Sequence, residues 1–300
     1  MSHPTLITGA SGFLGTQIVS HIKAESISLG RSKSNDIICD LATQIPTIPA
    51  VSTVIHNAGK AHSIPKSKEE IQAFYQINYK GTKHLLEGLE GKSLQQFVFI
   101  STVAVYGRHQ GEDISEDAPL EGETPYALSK IKAEQLLTEW CHARNIPLLI
   151  LRLPLVYGHN PPGNLGAISK MIRQKSYVQI KGNTARKSMV LADDVAQLIA
   201  SIKGESGIFN LTDGIHPSFS DLEKALSEVY ATRIRMILPK FILQILALGG
   251  DLIQAVGLPF PLSTTRLRQM TTTLTFKDSK ARQELNWQPR SVIEHAHLIK

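Results

Sequence analysis

The first half of the chain alternates short apolar runs of strand character with longer runs of helical pattern. The strand candidates are Thr5 to Thr8, Ser26 to Leu29, Asp36 to Cys39, Thr53 to His56, Gln96 to Ser101 and Leu148 to Leu153. The helical patterns lie near Phe13 to Lys23, Glu69 to Gly88 and Pro125 to Arg144, the last with Thr124 as N-cap. Because this alternation is typical of βαβ units, we predict an α/β fold with a doubly wound parallel sheet.

The texture of the sequence changes after Arg152. Gly, Pro and Asn dominate residues 158–166, a helical pattern follows near Ala167 to Gln174, and shorter mixed segments come after it. The piece from Val190 to Leu211, a helix and then a strand, reads as one more unit of the main sheet. We therefore predict a nucleotide-binding domain over residues 1–157 plus about 188–212. Residues 158–187 and 213–300 should form a smaller, mixed α/β C-terminal lobe for the substrate.

Composition and charge narrow the function classes. No run reaches the roughly 18 to 20 apolar residues that a membrane span needs, and the N-terminus lacks a signal-peptide core, which predicts a cytoplasmic protein. Cys39 and Cys141 have no metal or redox spacing and are expected in the core, so no metal site is predicted. The net charge of +6 is spread without basic runs. This speaks against nucleic acid and suits a ligand that carries phosphate.

One apolar segment has two interpretations. Met236 to Leu262 is rich in apolar residues but is interrupted by Lys240, Gln244, Gly249, Gly250 and Asp251. The first interpretation is one or two buried helices of the small lobe, and the alternative is a patch that contacts a membrane or a partner.

A glycine-rich turn follows the first predicted strand. Gly9, Gly12 and Gly15 have the spacing GxxGxxG and lead into a helix. Glycine permits a tight turn and a close approach of the backbone to a pyrophosphate, while the helix N-terminus supplies N–H donors. This predicts a Rossmann-type dinucleotide site, with contacts from Gly9, Ser11, Gly12, Phe13, Leu14 and Gly15.

The ends of the next strands carry the remaining cofactor candidates. The second strand ends in Gly30-Arg31-Ser32-Lys33 without an acid. Arg31 therefore favours the 2′-phosphate of NADP(H), and NAD(H) is possible. The alternative is that Arg31 and Lys33 are ordinary solvated charges. Asp40 and Leu41 close the third strand and would meet the adenine. Asn57, Ala58 and Gly59 follow the fourth strand, where the small residues allow the cofactor to approach.

A Tyr and a Lys four residues apart share one helix face, which suits a proton donor coupled to a cation. The chain has this spacing at Tyr79/Lys83, Tyr126/Lys130 and Tyr177/Lys181. We select Tyr126/Lys130, because that pair lies in a well-capped helix after a strand that ends in hydroxyls; a structural tyrosine remains the alternative.

The chemistry gives each group a role. Lowering the phenol pKa from about 10 to about 7 requires about 4 kcal/mol. The Lys130 ammonium and an oxidised nicotinamide would supply it. Lys130 would also hold the nicotinamide ribose, and Thr102 would bond the substrate oxygen.

The motifs together resemble one protein family. They are TGASGFLG at 8–15, HNAG at 56–59, NYKGT at 78–82, STVAVYG at 101–107, YALSK at 126–130, LRLPLVYG at 151–158 and KARQELNWQP at 280–289. The set resembles the extended short-chain dehydrogenases/reductases, in their nucleotide-sugar epimerase/dehydratase branch. The resemblance makes Thr102, Tyr126 and Lys130 the catalytic triad.

The same resemblance assigns further residues by their place in these motifs. Asn78 would support the active-site helix. Ser101 and Leu153 would join the cofactor site, and Lys60 would lie beside the substrate. Asn164 and Arg186 would meet the diphosphate of the nucleotide, with a second contact from Arg266 or Arg268. Relatives often form homodimers through a four-helix bundle, so a homodimer is possible here.

A departure from the family pattern narrows the reaction. Sugar 4,6-dehydratases carry Asp-Glu directly after the catalytic hydroxyl residue, whereas this chain has Val103-Ala104. The resemblance therefore implies an oxidoreductase at C4 of a nucleotide-activated sugar, first an NADPH-dependent 4-keto reductase of a UDP-deoxysugar in surface-polysaccharide synthesis. The alternatives are a UDP-sugar 4-epimerase, which is an isomerase with tightly bound NAD, and a 3β-hydroxysteroid-dehydrogenase-like enzyme. A non-catalytic NADP-binding regulator is the alternative outside the enzymes.

Overall fold

The strands follow the predicted apolar runs closely. The computed structural model describes residues 3–22, 24–61, 65, 67–255, 257–258, 260 and 262–300. Its strands are β1 Thr5–Thr8, β2 Ser26–Gly30, β3 Ile37–Ile38, β4 Thr53–His56, β5 Gln96–Thr102, β6 Gly111–Ile114, β7 Leu148–Leu153, β8 Leu155–Tyr157, β9 Val178–Ile180, β10 Met189–Leu191, β11 Gly207–Asn210, β12 Met236–Leu238 and β13 Leu274–Phe276.

Helices fill the connections between these strands. They are α1 Phe13–His21, α2 Lys68–Phe74, α3 Gly81–Gly88, α4 Pro125–His142, α5 Gly163–Arg173, α6 Ala192–Ser201, α7 Phe219–Val229, α8 Lys240–Ala255, α9 Thr264–Thr271 and α10 Ser279–Glu284. A π-helix, Tyr75–Lys80, joins α2 to α3, and short 3-10 helices occupy Val103–Tyr106 and Ala296–Ile299.

Seven strands form one parallel sheet in the order β11-β7-β5-β4-β1-β2-β3. Every residue of β5 is buried, because helices cover both faces of the sheet. On one face α1 packs on α6 through Leu14, Ile18 and Val195, and on the other face α3 and α4 contribute Leu85 and Leu137. The fold class predicted from the sequence, a doubly wound α/β sheet, is confirmed.

The chain returns to this sheet once more after β10 and α6. β11 pairs in parallel with β7 along Gly207–Asn210. The parallel pairs β8 with β10, β9 with β12, and β6 with β13 lie outside the main sheet, and the first of them packs with α5 and α7. The division into two domains remains a prediction.

Two predicted helices differ from the structure in instructive ways. The helix expected over Phe13 to Lys23 ends at His21, and Lys23 lies outside the described residues. The helix expected over Glu69 to Gly88 contains the π-helical turn, in which the Gly81 N–H donates to the Gln76 carbonyl five residues earlier. Such turns are frequent at functional sites, and this one carries the buried Asn78.

The apolar segment from Met236 to Leu262 was expected to form one or two buried helices, and it forms one helix of which only one face is buried. It forms β12 and α8, and α8 buries Leu243 and Ala247 while its opposite face is exposed. Val256, Pro259 and Pro261 lie outside the described residues. In the described part of the chain no helix is both long and apolar enough to cross a membrane. Cys39 and Cys141 are buried free thiols, as expected.

Candidate active site

The glycine-rich turn lies between β1 and α1, and two of its glycines are sterically required. Gly9 has a φ of +69°, and a Cβ there would lie 2.8 Å from Ala58 Cα. A Cβ on Gly15 would lie 2.0 Å from the Gly9 carbonyl oxygen. No side chain caps the N-terminus of α1, and no acid lies in its first turn. These features fit the pyrophosphate of a dinucleotide, because the helix presents unused N–H groups and no negative charge.

The residues after β4 connect the glycine-rich turn to the catalytic helix. Asn57 Nδ2 donates to the Gly9 carbonyl oxygen at 3.1 Å. Asn78 accepts from the Lys60 N–H at 2.6 Å and donates to Ser129 Oγ at 2.9 Å. Asn78 therefore joins the loop to α4 in the described structure, which agrees with the supporting role that the resemblance implied.

Helix α4 places the Tyr126/Lys130 pair against the end of β5. Thr124 caps the helix by accepting from the Ala127 N–H at 3.1 Å, which starts α4 one residue before Tyr126. The Tyr126 phenol lies within reach of the Thr102 hydroxyl, which acts to lower the pKa of the phenol. Lys130 is buried, and its ammonium donates to the Ile100 carbonyl oxygen at 2.8 Å. The structure thus brings the three predicted catalytic residues together.

The other two Tyr and Lys pairs have different surroundings. The Tyr177 hydroxyl donates to the buried Glu223 carboxylate at 2.6 Å, so this tyrosine has a structural role. Tyr79 lies in the π-helix with its ring 5.9 Å from the Lys132 ammonium. Neither of these contacts involves the end of β5.

Burial controls the protonation of the pair. It lowers the pKa of Lys130 to about 8, while the charge of Glu134 acts in the opposite direction. It raises the pKa of Tyr126, and the neighbouring Thr102 hydroxyl only partly offsets this effect. The predicted lowering of the phenol pKa depends on an oxidised nicotinamide as well as on Lys130, so it stays a prediction. The Lys130 ammonium bonds to the Ile100 carbonyl, and burial disfavours the phenolate.

A buried network under the pair was missed at the sequence level. Glu134 accepts from Arg152 Nη2 at 2.7 Å, and the Ser101 hydroxyl also donates to Glu134. Ser101, predicted to contact the cofactor, thus has its hydroxyl directed to this carboxylate. The signal available in the sequence was the spacing, since Glu134 follows Lys130 by one helical turn.

The far end of the cofactor site is cationic. Arg31 and Lys33 are exposed in the turn after β2. The nearby Asp36 carboxylate accepts from the N–H and the hydroxyl of Ser28, at 2.8 and 2.7 Å, which lowers the pKa of Asp36. Asp36 is therefore engaged with the strand.

The adenine candidates follow β3. Asp40 Oδ1 accepts from the Ala42 N–H at 3.0 Å. The Leu41 carbonyl contacts His84 Nδ1 at 2.7 Å, which fixes the backbone of this turn against α3.

Other cofactor candidates surround the pair. Gly59 is in contact with Lys130, because a Cβ there would lie 3.3 Å from Nζ. Leu153 is buried and pairs with Thr102 in the register of β5 and β7. Phe13 contacts Gly158, where the chain leaves the main sheet.

The predicted substrate residues are only partly brought to the site. The Lys60 ammonium lies 5.4 Å from the centre of the Phe74 ring, which in turn lies 6.1 Å from the Tyr126 ring. Asn164 is exposed at the start of α5, and Arg268 is exposed on α9.

Arg186 has its own surroundings. Its guanidinium donates to the carbonyl oxygens of Ile215 and His216, at 2.6 and 2.9 Å. It lines a cavity of about 250 Å³ together with Glu112 and Asp113. Two carboxylates disfavour an anion there, so a diphosphate contact by Arg186 remains a prediction with this electrostatic cost.

Comparisons with known proteins agree with this geometry. The family model described as "NAD dependent epimerase/dehydratase family" matches residues 5–210. The N-acetyl-alpha-D-glucosaminyl-diphospho-ditrans,octacis-undecaprenol 4-epimerase of Escherichia coli O157:H7 is 24% identical over 93% of this chain and 89% of its own length. The GDP-6-deoxy-D-mannose reductase of Pseudomonas aeruginosa is 22% identical over 79% of this chain and 83% of its own.

Solved structures share the fold. The UDP-glucose 4-epimerase of Thermotoga maritima, solved with UDP-glucose, has a TM-score of 0.75 at 19% identity and covers 98% of this chain and 96% of its own. RMD from Pseudomonas aeruginosa, solved with NADPH, has a TM-score of 0.69 at 19% identity and covers 99% and 97%.

The family resemblance seen in the motifs is confirmed, because the matching model spans well over half of the chain. A nicotinamide dinucleotide is the supported class of cofactor. This chain belongs to the NAD-dependent epimerase/dehydratase family of extended short-chain dehydrogenases/reductases.

Proposed function

We propose that the protein is an NADPH-dependent reductase of a C4 ketone in a diphosphate-linked deoxysugar. The observation that carries this proposal is the proximity of the Tyr126 phenol and the Thr102 hydroxyl at the end of β5, with Lys130 buried one helical turn after Tyr126. A phenol and a hydroxyl that meet at the end of β5 form a paired donor set for one substrate oxygen.

Each residue has a defined part in the reduction. Thr102 donates to the C4 oxygen and orients the sugar. Tyr126 gives its proton to that oxygen as the carbonyl becomes a hydroxyl. The Lys130 ammonium holds the ribose next to the reacting carbon. The bound cofactor supplies the hydride.

Two observations favour the reductive direction. Burial raises the pKa of Tyr126, so the phenol keeps the proton that a ketone reduction consumes. The cationic turn of Arg31 and Lys33, with Asp36 engaged by Ser28, suits a 2′-phosphate. Dehydration is disfavoured because Val103-Ala104 replaces the acidic pair that β-elimination requires.

A 4-epimerase is the second candidate, and a specific observation favours it. The relative that covers 93% of this chain is named as a 4-epimerase of a sugar on undecaprenyl diphosphate. Tyr126 would take the C4 hydroxyl proton and later return it, while Thr102 and Lys130 keep their positions. A tightly bound NAD would supply the redox chemistry by accepting the hydride and returning it to the other face of C4. The same relative suggests that a polyprenol, as well as a nucleoside, can carry the diphosphate sugar.

Identification of the bound nucleotide separates the two reactions. The protein is purified without added cofactor and denatured, and the released nucleotide is identified by mass. A reductase is expected to release little NAD and to oxidise NADPH when a UDP-4-keto-deoxysugar is added. Near-stoichiometric NAD, with no net consumption of NADPH, would replace the reductase with the epimerase.

The proton donor is tested with a matched pair of variants. Tyr126→Phe should lower turnover roughly 10²-fold or more, in the range of general acid catalysis, and leave the affinity for NADPH nearly unchanged. Tyr79→Phe is the control, because it removes the same hydroxyl from a tyrosine that also precedes a lysine by four residues. Equal activities in the two variants would refute the assignment of Tyr126.

The cofactor preference is tested at Arg31. Arg31→Ala should weaken NADPH binding about tenfold or more and leave NADH binding nearly unchanged, because a charge-assisted hydrogen bond to the phosphate contributes about 1.5 to 3 kcal/mol. Asp36→Asn serves as the charge control, since Asp36 bonds to Ser28. A parallel loss of affinity for both cofactors would contradict the proposed role of Arg31.

A further inference from the structure

We propose that the exposed face of α8 docks the protein on an anionic lipid surface. This rests on the proposed function and deepens it, because it makes a diphosphate sugar carried on a polyprenyl chain the substrate class. The face consists of Phe241, Ile245, Leu248 and Leu252, and we call it the outer stripe.

The outer stripe follows one side of the helix without interruption. Its members have the spacing i, i+4, i+7 and i+11, which places them on one face. Their exposed fractions are 61, 66, 59 and 73%. Single exposed apolar residues are common on proteins, but four in one row form a contiguous patch.

The opposite face of α8 is already packed against neighbouring elements. Leu243 and Ala247 are buried against Ile180 and Leu267. Gly250 is also buried, and a Cβ there would lie 2.1 Å from the Leu262 carbonyl oxygen. The helix is therefore anchored without the outer stripe, so packing inside the described part of the chain does not explain the apolar residues on that side.

The segment of the chain that carries the outer stripe has an excess of positive charge. Residues 231–272 contain five cations and one acid, a net of four of the six positive charges of the chain. The five cations are exposed, namely Arg233, Arg235, Lys240, Arg266 and Arg268. The acid, Asp251, accepts from the Thr264 hydroxyl at 2.6 Å and so bonds to the start of α9.

An apolar stripe within a cationic segment matches a membrane that contains anionic lipids. The apolar side chains enter the boundary between headgroups and acyl chains, and the cations attract the negative surface. A second copy of this chain is disfavoured as the occupant, because two segments with four net positive charges would face each other.

The position of α8 connects this surface to the catalytic centre. α8 packs on α9, and Thr272 at the end of α9 donates to the His109 carbonyl oxygen at 3.1 Å. His109 follows the 3-10 helix Val103–Tyr106, which begins directly after Thr102. A sugar held by Thr102 therefore has its reactive end next to the lobe that carries the outer stripe.

Vesicle flotation tests the proposal. The full-length protein is mixed with vesicles of phosphatidylcholine alone or of equal parts phosphatidylcholine and phosphatidylglycerol. We expect it to float with the anionic vesicles and to dissociate as salt is raised. Ile245→Ser should weaken this binding roughly tenfold, because an isoleucine side chain then no longer leaves water.

Ile38→Ser is the matched control, because Ile38 is 61% exposed on β3, an edge strand of the main sheet that is not part of the outer stripe. It should float like the unmodified protein. Failure of the unmodified protein to bind anionic vesicles, or equal losses in the two variants, would overturn the proposal. A dimer in sedimentation that Ile245→Ser dissociates, without vesicle binding, would assign the stripe to a second copy instead.

Activity measurements keep this proposal separate from the proposed function. Ile245→Ser should retain turnover of a soluble nucleotide sugar without vesicles, and Tyr126→Phe should retain vesicle binding. Failure of the unmodified protein to float with anionic vesicles, while its turnover is intact, counts against the docking surface alone. Absence of turnover in a protein that still floats counts against the reductase and epimerase assignments alone.

Discussion

Replacing Glu134 with glutamine should affect both the stability of the fold and the proton on Lys130. Glu134 and Arg152 are 3 and 2% exposed, and their side chains meet at 2.7 Å. Glutamine keeps the shape but removes the charge, so the guanidinium remains buried without its counter-ion. Breaking such a pair costs about 3 to 5 kcal/mol, a large part of the roughly 5 to 15 kcal/mol that stabilises a domain.

The second effect concerns the cofactor. Burial lowers the pKa of Lys130 to about 8, and the negative charge of Glu134 keeps it from falling further. In Glu134→Gln the pKa of Lys130 should therefore be lower still. Because cofactor binding uses the ammonium, the pH at which affinity begins to fall should move in the acidic direction.

A double variant separates the two effects. Glu134→Gln/Arg152→Met removes both charges, so it should regain most of the lost stability, because no buried charge is stranded. It should keep the acidic displacement of the binding profile, since Glu134 is still absent. Urea unfolding measures the first quantity, and NADPH titration over a pH series measures the second. The reasoning is refuted if the double variant is as unstable as the single one, or if the binding profile of Glu134→Gln does not move.

Two further predictions concern the glycine-rich turn and the proton on Lys130. Gly15→Ala should abolish cofactor binding and lower the free energy of unfolding, because its Cβ would lie 2.0 Å from the Gly9 carbonyl oxygen. Gly249→Ala is the control: this glycine lies in α8 with open space around it, so the change should raise the free energy of unfolding by about 0.5 to 1 kcal/mol. In the unmodified protein, NADPH affinity should fall by up to about tenfold per pH unit above pH about 8, as Lys130 loses its proton. The contribution of Lys130 to folding has the opposite sign: the folded chain releases this proton at lower pH than the unfolded chain, so the free energy of unfolding rises with pH from about 8 to the ordinary lysine value. A flat binding profile, or stability and affinity that fall together, would contradict this assignment.

Local patterns predicted much of the fold because each strand of the main sheet buries a short apolar run. β1, β4 and β7 have the predicted bounds, and Thr124 caps α4 as expected. The π-helical turn at Tyr75–Lys80 was not predictable, since it adds one residue per turn without a distinctive composition. The exposure of α8 was left open between two interpretations, because an apolar segment does not show by its composition which of its faces has a partner.

The candidate site was predictable where sequence spacing equals spatial proximity. Tyr126 and Lys130 lie one turn apart on α4, so their pairing follows from helix geometry. The protonation of Tyr126 was not predictable, because it depends on burial by residues distant in sequence. For the same reason, the direction of the Ser101 hydroxyl toward Glu134 became visible only when α4 was placed on the sheet.

The arrangement of α4 on β5 explains why one helix face can carry the catalytic groups and their support together. Tyr126, Lys130 and Glu134 lie four residues apart and so follow one side of α4 over about 12 Å. They meet three consecutive residues of β5: the Tyr126 phenol lies near the Thr102 hydroxyl, Lys130 donates to the Ile100 carbonyl, and Glu134 accepts from the Ser101 hydroxyl. A rotation of α4 that moved the phenol from Thr102 would therefore also withdraw Glu134 from Arg152, at the cost of a stranded buried charge. The ion pair thus fixes the rotation of the helix, and this fixed rotation holds the proton donor of Tyr126 in its position beside Thr102.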